Sequence, residues 1–154
     1  KQGTISQGPG GGLCQLGNLL FWIAGHSPLT ITERWRHGFD VFPDVNRSIP
    51  FGAGATLAYN YVDLQLTNHT PYCFRIQLWL DDTHLQGELL CDTDYPWTFN
   101  LEERHHQIKQ QVWGGYSRHN QIVQIRRNRD GSCLETLLVE NHALMMYEPL
   151  LTAA

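Results

Sequence analysis

From Cys14 to Ala24 the chain reads CQLGNLLFWIA, with Leu16, Leu19, Leu20 and Ile23 recurring at helical spacing. Phe21 and Trp22 widen the apolar arc until the segment reads as apolar nearly all round, which predicts a buried helix. Gly25, followed by His26, Ser27 and Pro28, marks its end. Beyond this point the dominant period changes from helical to alternating. Leu29 to Trp35 predicts a short strand through the β-branched Thr30, Ile31 and Thr32, and residues 36–54 read as an ordered crossing loop.

Ala55 to Thr67 alternates: Leu57, Tyr59 and Tyr61 share one face, and Asp63 falls among them. A turn over Asn68 to Pro71 leads to a second strand, Tyr72 to Leu80. Asp81 and Asp82 break it, and Thr83 to Leu90 makes a third. Three such strands in succession predict an antiparallel meander. Leu101 to Gln110 is compatible with a strand or a short helix, and a last hairpin runs from Gln121 to Arg127 through Asn128–Gly131 into Ser132 to Val139. The predicted class is α+β, a mainly antiparallel β-sheet packed against an N-terminal buried helix, in one domain covering residues 1–154.

Composition narrows the function classes. The 154 residues are 42% apolar and 17% charged, with a formal charge of -4, so no long-range field draws the chain to nucleic acid. The basic run Arg126, Arg127 and Arg129 reads as a charged hairpin tip. Leu19 to Ala24, the longest apolar candidate, is too short for an integral membrane segment. Cys14, Cys73, Cys91 and Cys133 show no CxxC pairing and permit zero, one or two disulfides. Cys73 and Cys133 sit in apparent strands and read as buried free thiols. Lys1 without an initiator Met, followed closely by a glycine-rich motif, suggests a fragment of a longer protein, and no targeting signal is visible.

The densest chemical signal is GGGLCQL at residues 10–16. A helix starting at or just after Cys14 would place the thiol among unpaired N–H groups at the positive end of the helix dipole, which favours a thiolate. Gly10, Gly11 and Gly12 would let an extended substrate approach the backbone, and Gln15 could help hold an oxyanion. The plainer reading makes Cys14 a small packed residue. A nucleophile needs a base and an orienting group. His37, in the irregular stretch WRHGFD, is the preferred base; Asp63, or less favourably Asp40, would orient it. The alternative reading of Asp63 is a structural ion pair with Arg34, Arg36 or Arg75. Arg34 and Arg36 are candidate substrate-binding residues.

Eight histidines raise a metal site, with Cys14 and two imidazoles as one conceivable zinc set, but no HExxH spacing occurs; no metal and no cofactor is assigned. FGAGAT at 51–56 lacks the Lys and Ser/Thr of a phosphate loop and reads as a tight entry into a strand. Trp97 beside Tyr95 and Pro96, or Trp113 beside Gly114, could offer a stacking surface for a sugar or peptide.

The runs GGGLCQLGNLLFWIAGHSPLTITERWRHGFDVFPD, PFGAGATLAYNYVDLQLTN, LWLDDTHLQGEL and NHALMMYE closely resemble the VanW family, encoded as an accessory protein in some vancomycin-resistance clusters. The family's recurring features fall on Gly12, Cys14 and Gln15; on Glu33, Arg34 and His37; and on Ala55, Thr56 and Asp63. Gly17 and Gly38 depart from it, since serine is frequent at both positions. The resemblance implies a cell-envelope or surface-associated setting, peptidoglycan or a wall-precursor peptide as partner, and no assigned reaction. Two functions follow as expectations. One is a cysteine-dependent peptidase, amidase or transpeptidase acting on wall peptide; the other is a non-catalytic module that binds it.

Overall fold

The computed structural model describes residues 12–41 and 48–149. Within them the chain is mostly β-sheet with one short helix. Helix α1 spans Leu13–Gly25 and is followed by strands β1 (Thr30–Glu33), β2 (Phe39–Asp40), β3 (Gln65–Thr67), β4 (Phe74–Leu80), β5 (Leu85–Cys91), β6 (Trp97–Gln110), β7 (Tyr116–Asn128) and β8 (Cys133–Met145). No helix among the described residues is long and apolar enough to cross a membrane.

Gly12 caps α1 without a side-chain hydrogen bond, so its first turn depends on solvent or neighbours for its N–H groups. The C-terminal end is better secured. The Ser27 hydroxyl donates to Ala24 O at 2.8 Å, and Gln124 of β7 donates to Gly25 O at 2.7 Å. Burial follows one stripe, Gly17, Phe21, Ala24 and Gly25, rather than the whole circumference. Leu16, Leu19, Leu20 and Ile23 are half-buried at its margins.

Phe21 shares a buried cluster with Ala53, Ala55, Leu101 and Ile122, joining the helix, the 51–55 loop, β6 and β7. The described strands form three sheets. β1 pairs antiparallel with β3, β4 with β5, and the largest sheet has the order β2-β8-β7-β6. Its one parallel pair is short: Phe39 lies opposite Leu144 and Asp40 opposite Met145.

The predicted meander is not formed. Of the stretch 55–67 only Gln65–Thr67 is a strand, and it returns to β1, with Thr67 opposite Thr30, instead of pairing with β4. Its first part is occupied otherwise: Ala58 and Val62 close a tight turn, and Asn60 takes φ 65°, a backbone state that asparagine tolerates. Tyr61 at its tip is 90% exposed, so the alternating pattern here did not mark a buried face. Leu101–Gln110 belongs to the 14-residue strand β6 rather than a helix, and the last hairpin is longer than its apolar core suggests. Cys73 and Cys133 are exposed, not buried; Cys133 opens β8 and Cys73 immediately precedes β4.

Candidate functional site

The segment PFGAGAT is a buried platform rather than a strand entry, with Phe51 to Ala55 all buried. Its own N–H groups reach the Pro50 and Gly52 carbonyls, at 3.1 and 2.9 Å, and further donors come from outside. Arg34 supplies two of them: Nε donates to Gly54 O at 2.8 Å and Nη2 to Gly52 O at 2.6 Å, with a third bond to Asn141 Oδ1 at 3.0 Å. Asn120 donates to Phe51 O at 2.6 Å, Asn18 of α1 accepts from Ala55 N–H at 3.2 Å, and Thr56 N–H donates to Trp35 O at 2.8 Å. The guanidinium of Arg34 also lies 5.4 Å from the centre of the Phe21 ring. Burial, with the neighbouring Arg36 charge, pulls its pKa down to about 10, which leaves it charged at neutral pH.

Two glycines explain the composition of the platform. Gly52 has φ +77°, and a Cβ there would lie 2.1 Å from the Asn141 side chain. A Cβ on Gly54 would lie 2.0 Å from Asn18 Oδ1 and 3.2 Å from Arg36 Nη1. The platform therefore packs directly against both the helix and β8.

Beside it lies a cleft of about 310 Å³ at the edge of β8. Arg34, Arg36 and His37 line it from one side, Phe51 from the platform, and Glu140 and His142 from the strand. Gly38 O accepts from Leu144 N–H at 2.9 Å, and this bond fixes the preceding residues along the strand edge. Arg36 rests 5.6 Å from the centre of Phe51, and both Arg36 and His37 are exposed.

Three of the residues singled out from the sequence thus converge here. Cys14, Gln15, Asp63 and Asp40 do not line this cleft. Cys14 is an exposed free thiol at the second position of α1, and Gln15 beside it is exposed. Gly10 and Gly11 lie outside the described residues; Gly12 is the N-cap. Asp63 is exposed just before β3 and accepts from Gln65 at 3.3 Å, so it is not the carboxylate interrupting a buried strand face that its spacing suggested. Asp40 is 4% exposed; Arg118 Nη1 approaches its carboxylate at 3.3 Å and the Tyr147 hydroxyl donates to it at 2.7 Å. Burial, then that bond to Asp40, pushes the Tyr147 pKa up to about 12.

Sequence reasoning missed a hydrogen-bonded row on the sheet. Gln111 reaches Ser117 Oγ; Ser117 Oγ lies 2.7 Å from His119 Nε2; His119 Nδ1 lies 2.6 Å from His142 Nδ1; and His142 Nε2 lies 2.8 Å from Glu140 Oε1. The signal was available as S-x-H on one strand and E-x-H on the next, but it requires the register that places His119 opposite His142. Burial foremost, then His142 and Lys109, lowers the His119 pKa, while bonds from His142 and Gln121 lower that of Glu140. The row can pass a proton between the cleft and Ser117. Among the described residues, no group of three His, Cys, Asp or Glu side chains is placed to hold a metal ion.

Comparison with known proteins bears on residues 1–90, which match the family described as VanW like protein. A segment of 90 residues, 58% of this chain, is 38% identical to the vancomycin B-type resistance protein VanW of Enterococcus faecalis and spans 33% of that protein's length. No solved structure matches. The matched region carries α1, the Arg34 and His37 segment, the platform and the β4–β5 hairpin. The chain belongs to the VanW-like protein family, one of whose members is named for resistance to vancomycin.

Proposed function

We propose that this chain is a recognition module acting at the cell envelope, binding a peptidoglycan-related or wall-precursor peptide in the Arg36–His37 cleft. The observation that carries it is the arrangement around Arg34. Its three hydrogen bonds hold the platform, and the platform and the β8 edge leave Arg36 and His37 exposed beside Glu140 and His142. Such a cleft offers both cationic and anionic groups to the carboxylates, amides and amines of a stem peptide, on a support that needs little reordering on binding. The name of the relative, a vancomycin resistance protein, supports the same setting.

Titration calorimetry with a soluble muropeptide tests it. The wild-type protein is expected to bind, and Arg36→Ala and His37→Ala each to weaken binding at least tenfold while the far-UV spectrum is unchanged. Unaltered affinity in both variants, or no binding by the wild type, would refute it.

A second reading is favoured by the exposed thiol of Cys14 at the second helical position. In a cysteine-dependent enzyme its thiolate would add to a peptide carbonyl; the amine would leave with a proton from His37, and water or a second amine would then release the acyl group. Gln15 would steady the oxyanion, with Asp63 or Asp40 orienting the imidazole. Cys14→Ala separates the readings: retained muropeptide binding with no change in products favours the module, whereas lost turnover of wall fragments favours the enzyme.

A further inference from the structure

A second cleft, of about 330 Å³, opens between the 28–31 segment after the helix and the far end of the β6–β7–β8 sheet. It shares no lining residue with the Arg36–His37 cleft. Its volume falls at the lower end of the range of about 300–1,000 Å³ in which proteins hold small ligands. Trp97 and Phe99 of β6 form an aromatic wall, extended by Tyr95, whose ring lies 6.2 Å from that of Trp97. Leu134 and Leu137 form an opposite rim and are 48% and 51% exposed.

Arg126 of β7 is the one charged residue that lines this space, beside Thr30, Thr70, Gln124 and Thr136. Its guanidinium carbon lies 5.2 Å from the centre of the Trp97 ring, within cation–π range. Its Nε is buried and has no hydrogen-bond partner among the described residues. A buried N–H of a cation left unmatched is costly, and native proteins keep few of them. Glu135 of β8 does not relieve it: it stands opposite Ile125, on the other face of the sheet, and both of its oxygens are taken by Arg104, at 2.7 and 2.8 Å. The alternation along β7 sharpens the contrast. Arg118, Asn120 and Gln124 all have polar partners, and Arg126, next in the same register, has an aromatic ring and an empty donor.

We propose that this cleft binds the C-terminal carboxylate of a peptide. A carboxylate meets arginine side-on, one oxygen on Nε and the other on a terminal nitrogen; because Nε is buried here, the Arg126 side chain turns on binding to present it, and this geometry would then supply the partner that Nε lacks. The terminal residue's side chain would lie between the aromatic wall and the rim of Leu134 and Leu137, while the Thr30 and Thr136 hydroxyls offer hydrogen bonds to the preceding amide. The same carboxylate chemistry could be presented by a free short-chain acid, and the test distinguishes the two sources.

The full chain, ¹⁵N-labelled, is titrated with N-acetyl-L-leucine, with its primary amide and with 4-methylpentanoate, and backbone amide shifts are followed. The acid is expected to shift residues of β6, β7 and the 28–31 segment saturably, the amide to bind at least tenfold more weakly, and 4-methylpentanoate to bind more weakly than the acetylated amino acid. Arg126→Gln should abolish the shifts and Arg126→Lys should keep part of them. Thr136→Trp, which fills the cleft and leaves the guanidinium in place, should also abolish them. Binding of acid and amide with equal affinity, no saturable shifts with the acid, or unchanged binding by Arg126→Gln would overturn the proposal. Equal affinity for 4-methylpentanoate would overturn the assignment to a peptide terminus. None of these outcomes depends on Arg36 or His37.

Discussion

Arg34 and Arg126 lie at nearly the same distance from an aromatic ring, 5.4 Å over Phe21 and 5.2 Å over Trp97, but the rest of their surroundings differ. Arg34 spends its donors on two backbone carbonyls and one asparagine oxygen. Arg126 keeps a buried donor without a partner among the described residues. The first arginine is a structural fastener in the part of the chain that matches the family; the second, beyond residue 90, has a donor that the described fold leaves unmatched. A cation in a folded protein is informative through what it lacks as much as through what it touches.

Substitution should separate the two sites. Arg34→Met removes three donated bonds, takes the side-chain donor from the buried Gly54 carbonyl and leaves the Gly52 carbonyl with the Gly54 N–H alone, so urea unfolding should show a loss of about 3 to 5 kcal/mol. Arg126→Met, which keeps the apolar stem against Trp97 and removes an unmatched donor, should shift stability by about 1 kcal/mol or less. Comparable losses at both positions would erase the distinction.

Gly52→Ala comes next. It combines a positive φ with a Cβ placed on Asn141, so a loss of about 2 kcal/mol or more is expected in the same unfolding assay, with the Arg34 bonds disturbed in turn. Wild-type stability would mean that the platform gives way easily and does not hold the cleft.

A smaller effect is expected from pH. The folded state lowers the His119 pKa below its ordinary 6.5, so the unfolded chain takes up the proton first and binds more protons in that window. The contribution of this group to stability is complete above pH 6.5 and is lost as pH falls from there through the lowered folded value. His119→Gln should therefore lose less stability than the wild type between pH 7.5 and 5.5; an equal or larger loss would contradict the assignment. The smallest contrast concerns the thiols. Cys14, Cys73 and Cys133 are all exposed, so the recognition reading expects their alkylation rates at pH 6 to agree within a few-fold, whereas a Cys14 rate far above the others favours the enzyme.

The helix was legible because its apolar spacing and its Gly-His-Ser-Pro ending are local properties, and it runs Leu13–Gly25. The β4–β5 hairpin was legible for the same reason, through its Asp81–Asp82 break. The stretch 55–67 misled because Tyr59 and Tyr61 alternate as strand residues do while standing out in solvent around a turn at Asn60. What holds FGAGAT was hidden because its fasteners, Arg34, Asn120 and Asn18, come from three distant segments. Of the candidate site, Arg34, Arg36 and His37 were found in the sequence and are grouped by the fold; Glu140 and His142 were not found, since only the path of residues 34–38 along the β8 edge brings them alongside. Arg126 read as part of a charged tip, because nothing local says that its side chain turns toward Trp97.

The central claim is that the Arg34 platform exists to present Arg36 and His37 to a wall peptide. Its most direct test is a backbone amide shift map recorded while a soluble muropeptide with an amidated C terminus, which the Arg126 cleft is not expected to hold, is added to the wild-type chain. Saturable shifts concentrated at residues 34–38 and 140–143 are predicted. A muropeptide that binds while leaving both of those stretches unmoved, or one that does not bind at all, would contradict it.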